Sequence, residues 1–387
     1  MDPAPLATFK AELITELSDI LNWWMTHTVD EEHGGFYGKV DNDNIANPQA
    51  EKGLVLNARI LYTFSSAYLL NSKKAYLAIA HRAFDYLTTY FLDSEYGGFY
   101  WAVDFTGKPS ASRKQVYGQA FVIYALAEYI KIASNEKALA LAKITFELLE
   151  QYSFDPVNTG YIEALSRTWG ALEDLRLSDK DRNEKKSMNT HLHVIEAYTN
   201  LYSIWPDDKL KKAIKRLLSN FKNHIIDKSN CHLQLFFAEN WEVRSNTFSF
   251  GHDIEAAWLL QESATVLKDE EETETFQKLA LQLTRAATKS LAEDGGLWEE
   301  EAHWWPQAEA MVGFLNAWQN SADIRYLQQS VQSWSFIKRH LKNDKGEWHW
   351  GVHRDYTLMA GQDKAGFWKC PYHNGRACIE IIKRLSA

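Results

Sequence analysis

A chain of 387 residues, 45% hydrophobic and 24% charged, has globular composition and enough length to bury a large core. A net charge of −9 argues against nucleic acid as a partner, since phosphate binding needs a basic face, and no apolar run is long enough to span a bilayer. Cys231, Cys370 and Cys378 make neither a disulfide framework nor a zinc pattern, and the start has no basic region followed by an apolar stretch, so a cytoplasmic location is expected.

Residues 6–28 open the chain with helical spacing of apolar positions. HGGFYGKVD at 33–41 follows, where glycines precede alternating aromatics, the chemistry of a turn and short strand. Helical spacing resumes over 54–70 and 75–91. YGGFYWAVD at 96–104 then repeats the first motif 63 positions on. Helices are predicted at 116–132 and 135–152, followed by the weaker copy TGYIEAL at 159–165. The polar run 177–186 reads as a solvated loop. The alternation continues through helices 191–205 and 210–226, LQLFFAENW at 233–241, and helices 252–267 and 272–291. It ends with GGLWEEE at 295–301, helices 308–319 and 324–341, GEWHWGVHRD at 346–355, and a last helix over 374–385.

Helix, loop with short hairpin, helix thus recurs about six times. No linker divides the chain, so one domain over 1–387 is expected. Six helical hairpins of this length close into an all-α (α/α)6 barrel, with short β-hairpins in the loops at one mouth. An open solenoid is the alternative. In the closed form the inner helices begin around one mouth, where unpaired N–H groups favour anions and sugar oxygens.

Candidate chemistry lies at those helix starts. His193-Val-Ile-Glu196 and His252-Asp-Ile-Glu255 each place an imidazole and a carboxylate three residues apart, on one helical face. His191 and His193 cannot share a face, and His193 is the inward choice. Arg59 interrupts an apolar helix, and either an ion pair or an anionic ligand must satisfy it. Glu196, Glu309 and Arg376 read as inter-helix ion pairs. Tyr117, Asn189, Trp304, Trp305, Trp368 and His373 complete the set. The 15 tryptophans mostly fill core, but indole faces also stack on sugar rings. No metal site is expected, because His-Glu-x-x-His does not occur and the two His-x-x-Glu words run in the opposite order to the di-iron Glu-x-x-His. No nucleophile motif, phosphate cradle or dinucleotide fingerprint is present.

At GGFYGKVDNDN, KGLVLNARILY, KQVYGQAFVIYALAEY, MNTHLHVIEAYTNLY, SFGHDIEAAWLL, WWPQAEAMVGF and FWKCPYHNGRACIE the chain resembles the N-acylglucosamine 2-epimerase superfamily over nearly its whole length. The resemblance implies an (α/α)6 barrel and cofactor-independent epimerisation at C2 of the reducing-end glucose of a β-1,4-linked disaccharide. It implies that His252 and His373 are the acid/base pair, Arg59 and His193 stabilise the enediolate, and Glu255 is the carboxylate partner of His252. It assigns sugar binding to Tyr117, Asn189, Trp368 and one of Trp304 and Trp305. With ordinary pKa values near ~6.5 the histidines would hold either protonation state. The expected partner is a small oligosaccharide substrate, with no nucleic acid, membrane or cofactor, and a monomer is expected over a dimer.

Three rivals differ in chemistry. A monosaccharide 2-epimerase or aldose–ketose isomerase would use the same enediolate. A glycoside hydrolase needs two carboxylates flanking a scissile bond, for which Glu299, Glu301 and Glu309 are available. A sugar-binding protein would yield no product.

Overall fold

A computed structural model describes residues 4–386. Its helices, in chain order, are α1 (Ala4–His27), α2 (Leu54–Asn71), α3 (Lys74–Tyr86), α4 (Val116–Ile130), α5 (Glu136–Leu148) and α6 (Met188–Ile204). They continue with α7 (Asp208–Asn220), α8 (Phe250–Val266), α9 (Glu270–Thr288), α10 (Trp304–Ser321), α11 (Ile324–His340) and α12 (Tyr372–Arg384). The even-numbered helices are apolar nearly all round. In α2 every residue from Leu54 to Ala67 is buried, which is the pattern of a helix enclosed on all sides. The odd-numbered helices are one-sided, as in α7, which buries Leu210, Ala213, Ile214, Leu217 and Leu218. Inner and outer rings follow from that difference.

The inner ring is closed. Each even helix packs on the next, and α12 packs on α2. A second closure lies at the mouth, where Val40 and Ala365 form an antiparallel bridge between the first hairpin and the segment before α12. The (α/α)6 barrel is therefore the architecture, and the open solenoid is excluded. No helix among the described residues is long and apolar enough to cross a membrane.

The repeated loop motif is one device used several times. The residue after each outer helix bridges the aromatic or apolar residue of the hairpin, as in Val29–Phe36, Leu92–Phe99, Phe154–Tyr161, Ile226–Leu233 and Leu291–Leu297. Two-residue strands just before the inner helices then pair with the next hairpin: Lys52–Gly53 with Ala102–Val103, Lys114–Gln115 with Ala164–Leu165, Lys186–Ser187 with Phe236–Phe237, and Ala302–His303 with Gly351–Val352. In three repeats the strand lysine reaches a buried aspartate of the preceding hairpin: Lys52–Asp30, Lys114–Asp93 and Lys186–Asp155. The second glycine of the motif has positive φ and faces a ring. A Cβ on Gly98 would lie 2.7 Å from Trp169, and one on Gly160 would lie 2.5 Å from Trp241.

Two differences from the sequence reading have local causes. Helices α3, α5 and α7 end in a wider π turn (Leu87–Phe91, Leu149–Ser153, Phe221–Ile225) rather than running on regularly. Inner helices α6, α10 and α12 start two to four residues earlier than their apolar spacing indicates. Ser187 caps α6 through Thr190 N, and Pro306 sits in the first turn of α10, where a missing N–H costs nothing.

Candidate active site

Counting from the helix caps puts the site in register. The inner-helix caps are Gly53, Gln115, Ser187, Ser249, His303 and Pro371. The second residue after the cap supplies Tyr117, Asn189, Trp305 and His373, and the third supplies His252. The fourth holds the hairpins: Gln119 bonds Phe99, His191 bonds Tyr161, Asp253 bonds Leu233 and Gln307 bonds Leu297. The sixth supplies Arg59, Phe121, His193, Glu255 and Glu309, with Arg376 at the fifth in α12. Mouth, latch and floor are successive layers of one ring.

A cavity of about 200 Å³ opens between mouth and floor. It is lined by Arg59, Tyr117, Asn189, His193, His252, Glu255, Trp304, Trp305, Trp368 and His373. The ten residues expected to bind or act on substrate therefore face one space. His303 and Trp350 line it too and were missed. Both lie in the paired strands and hairpin of the fifth and sixth repeats, which the motif copies marked without assigning a role. Trp305 is in contact with both His252 and His373, its ring 4.7 Å from that of His252 and 5.6 Å from that of His373. Trp304 packs on Trp350 with centroids 4.5 Å apart.

Arg59 is 3% exposed, and among the described residues no carboxylate pairs with it. Its Nη2 donates to Tyr117 Oη at 2.7 Å, and its guanidinium lies 4.1 Å from the Phe121 ring and 4.5 Å from the Tyr372 ring. Its Nε has no partner. The ion-pair alternative is thus removed, and a positive group stands at the cavity held by aromatic faces.

The second buried arginine is paired to excess. Arg376 bonds Glu196 through Nη1, and through Nη2 it bonds Glu255 at 2.8 Å and Glu309 at 2.6 Å. These three residues are the inter-helix ion pairs expected of Glu196, Glu309 and Arg376, with Glu255 added. Burial raises the Glu255 carboxyl to about 8, helped by repulsion from Glu309 and opposed by Arg376. Burial also raises Glu309. At Glu196 burial is outweighed by Arg376 and His193, and its carboxyl is lowered.

The expected pairing of Glu255 with His252 is corrected. His252 Nδ1 lies 2.9 Å from Ser249 Oγ, and Glu255 is turned to Arg376. Of the histidines expected at the site, those bound to carboxylates are His193, with Nδ1 2.8 Å from Glu196, and His373, with Nδ1 2.7 Å from Glu309 and 3.9 Å from Glu255. His191 is structural: its Nδ1 faces Ser187 O at 2.6 Å and its Nε2 accepts from Tyr161 N at 2.9 Å. The expectation of ordinary histidine pKa values is also corrected. Burial lowers His252 to about 3, and burial with the nearby arginines lowers His193 and His373. Burial thus disfavours the charged form of all three imidazoles.

Glu255, Glu309 and His373 present ligand atoms within 4.8 Å of one another, a set with suitable chemistry for a metal ion. The guanidinium of Arg376 already bonds both carboxylates, so the cluster's positive charge is supplied by the chain. A second axial cavity at the opposite end, lined by Tyr62, Tyr124, Glu128, Glu262 and Glu380, holds no histidine.

A closed double ring of helices around one cavity that gathers histidines, indoles and a guanidinium with no carboxylate partner is the architecture of a site for a small polar molecule. The profile of the N-acylglucosamine 2-epimerase (GlcNAc 2-epimerase) family matches residues 35–377. A cellobiose 2-epimerase of Bacteroides fragilis is 45% identical over 96% of this chain and 98% of its own. Solved cellobiose 2-epimerases from Bacillus thermoamylovorans and Spirochaeta thermophila each superpose with a TM-score of 0.94 at 38% identity. They cover 98% and 100% of this chain, and 100% and 99% of their own. The chain belongs to the N-acylglucosamine 2-epimerase family and is a carbohydrate epimerase.

Proposed function

We propose that the chain epimerises the reducing-end glucose of β-1,4-linked disaccharides at C2 without a cofactor, taking cellobiose to glucosyl-mannose and lactose to epilactose. The observation that carries this reading is that His252 and His373, from helices two repeats apart, line one cavity and both lie against Trp305. The hydrogen at C2 of an open-chain aldose lies alpha to the C1 aldehyde. Its removal leaves an enediolate, and a proton returned to the opposite face gives the epimer.

A neutral imidazole is the form that removes a proton, and burial keeps His252 in that form. His373 has the complementary surroundings, with Glu309 on Nδ1 and the raised Glu255 carboxyl behind it. A proton held in that cluster can charge His373, which then delivers from Nε2. The roles exchange for the opposite epimer. Positioned acid/base groups contribute ~10²–10⁴-fold each. Arg59, with no carboxylate to neutralise it, stabilises the enediolate oxygen, aided by His193. Asn189 and Tyr117 hold hydroxyls, and Trp305 and Trp368 stack on sugar.

Product analysis after incubation with cellobiose in D₂O tests the reading. Glucosyl-mannose carrying deuterium at C2 is expected. A ketose would indicate the aldose–ketose isomerase, free glucose the hydrolase, and unchanged cellobiose a failed reading. Mannose and N-acetylmannosamine, offered separately, identify a monosaccharide enzyme. His252→Ala and His373→Ala should each abolish turnover while the fold and sugar binding persist.

A further inference from the structure

We propose that Glu299, acting through Ser249, is a positioning residue that fixes which ring nitrogen of His252 carries its proton. Ser249 caps α8 and is buried at the rim of the site. Its hydroxyl makes three contacts. It donates to Glu299 Oε1 at 2.6 Å, and it faces His252 N at 3.3 Å and His252 Nδ1 at 2.9 Å. Glu299 Oε1 also accepts from Gly251 N at 3.3 Å, so the carboxylate is anchored to the start of the same helix.

A proton count decides the arrangement. A serine hydroxyl has one proton and two acceptor sites, and an ionised carboxylate only accepts. The hydroxyl proton therefore belongs to Glu299. The two acceptor sites are filled by the backbone N–H and by Nδ1, which must itself be protonated. A neutral imidazole carries one proton, so Nε2 is left with a free lone pair. Among the described residues Nε2 of His252 makes no hydrogen bond. His252 is held as the tautomer that can take a proton at Nε2.

Without Glu299 the Ser249 hydroxyl is free to donate to Nδ1, which moves the imidazole proton to Nε2 and disarms the base. His193 and His373 receive the same instruction from direct carboxylates, Glu196 and Glu309. At His252 the instruction is relayed through a hydroxyl, so no second negative charge lies against the ring. This inference rests on the reading of His252 as a proton-transfer group.

The test is ¹⁵N spectroscopy of histidine-labelled protein at neutral pH, with the His252 signals assigned by their loss in His252→Gln. The wild type should show a protonated Nδ1 and an unprotonated Nε2. An Nε2–H pattern in the wild type overturns the proposal without any variant. In Glu299→Ala, Nε2–H should become populated. The kcat for cellobiose should fall about tenfold or more with KM nearly constant, since an acid/base contribution is being lost. Ser249→Ala should do the same, the double variant should lose no more than either single one, and Ser249→Thr should recover most of the kcat that Ser249→Ala loses. An unchanged tautomer in Glu299→Ala, or additive losses in the double variant, overturns the relay. The two readings fail separately: if His252→Ala still turned over, the catalytic role would fall while the spectra still judged the relay.

Discussion

Nδ1 of His373 lies 2.7 Å from Glu309 Oε1, and this contact makes the surroundings of His373 unlike those of His252. His252 faces a hydroxyl, and His373 faces a carboxylate that shares Arg376 with Glu255. Burial disfavours the charged form of both rings, but only His373 lies against the carboxylate cluster.

Glu309→Gln keeps the size of that side chain and removes its charge. The imidazolium of His373 then loses its counter-ion, while sugar-binding residues are untouched. The expected result is a fall in kcat of about 10²-fold, within the range for a positioned acid/base group, with KM little changed. Steady-state kinetics with cellobiose measures both. A wild-type kcat would remove Glu309 from proton transfer.

The pH profile of kcat/KM should be displaced in a stated direction. A base works only when deprotonated, so its activity is lost as pH falls through its pKa. Burial lowers His252 to about 3, so activity should persist well below pH 6.5, until the fold itself yields. An acid works only when protonated, so its activity is lost as pH rises through its pKa. Burial, repulsion from Glu309 and the opposing Arg376 leave Glu255 at about 8, which places the alkaline limb there. Glu255→Gln should abolish or move that limb. An acid limb near 6.5 would show that His252 titrates as an ordinary histidine.

Arg376 holds three buried carboxylates from α6, α8 and α10 together. Arg376→Met leaves them uncompensated, and breaking a buried ionic cluster from one side costs about 3–5 kcal/mol. The sign of its pH dependence follows. Carboxyls without the guanidinium are raised, so the folded variant binds more protons than its unfolded chain, and stability falls as pH rises. Urea unfolding at pH 6 and pH 8 should show the larger loss at pH 8. Equal losses at both would mean that the carboxyls do not take up protons in response.

The barrel was legible because its two signals are strong and independent. Inner helices such as α2 are apolar on every side, outer ones such as α7 on one side, and Gly-Gly-Phe-Tyr copies mark the loops between them. Ten of the twelve lining residues were legible through their motifs, His303 and Trp350 being the exceptions. The partner of His252 was not, because spacing specifies a shared face and leaves the rotamer open. His193 is the sixth residue after its cap, Ser187, whereas His252 is the third after Ser249. The residue in register with His193 is Glu255, so two similar words stand one helical turn apart. Ser249 opens SFGHDIEAAWLL and Glu299 lies in GGLWEEE, but neither motif marks their contact, which spans 50 residues of chain.

Arg59 provides the sharpest separation of function from stability. A buried guanidinium without a carboxylate is costly to the fold, because aromatic faces and one phenol oxygen replace only part of its hydration. A site that must stabilise an enediolate needs that unneutralised charge. Arg59→Met keeps much of the volume against Phe121 and Tyr372 and removes the charge. Turnover should fall about 10²–10³-fold, the scale for losing an oxyanion donor. The unfolding midpoint in urea should stay at or above that of the wild type. Loss of several kcal/mol of stability would instead make Arg59 a structural residue, and its freedom from carboxylates would need another cause.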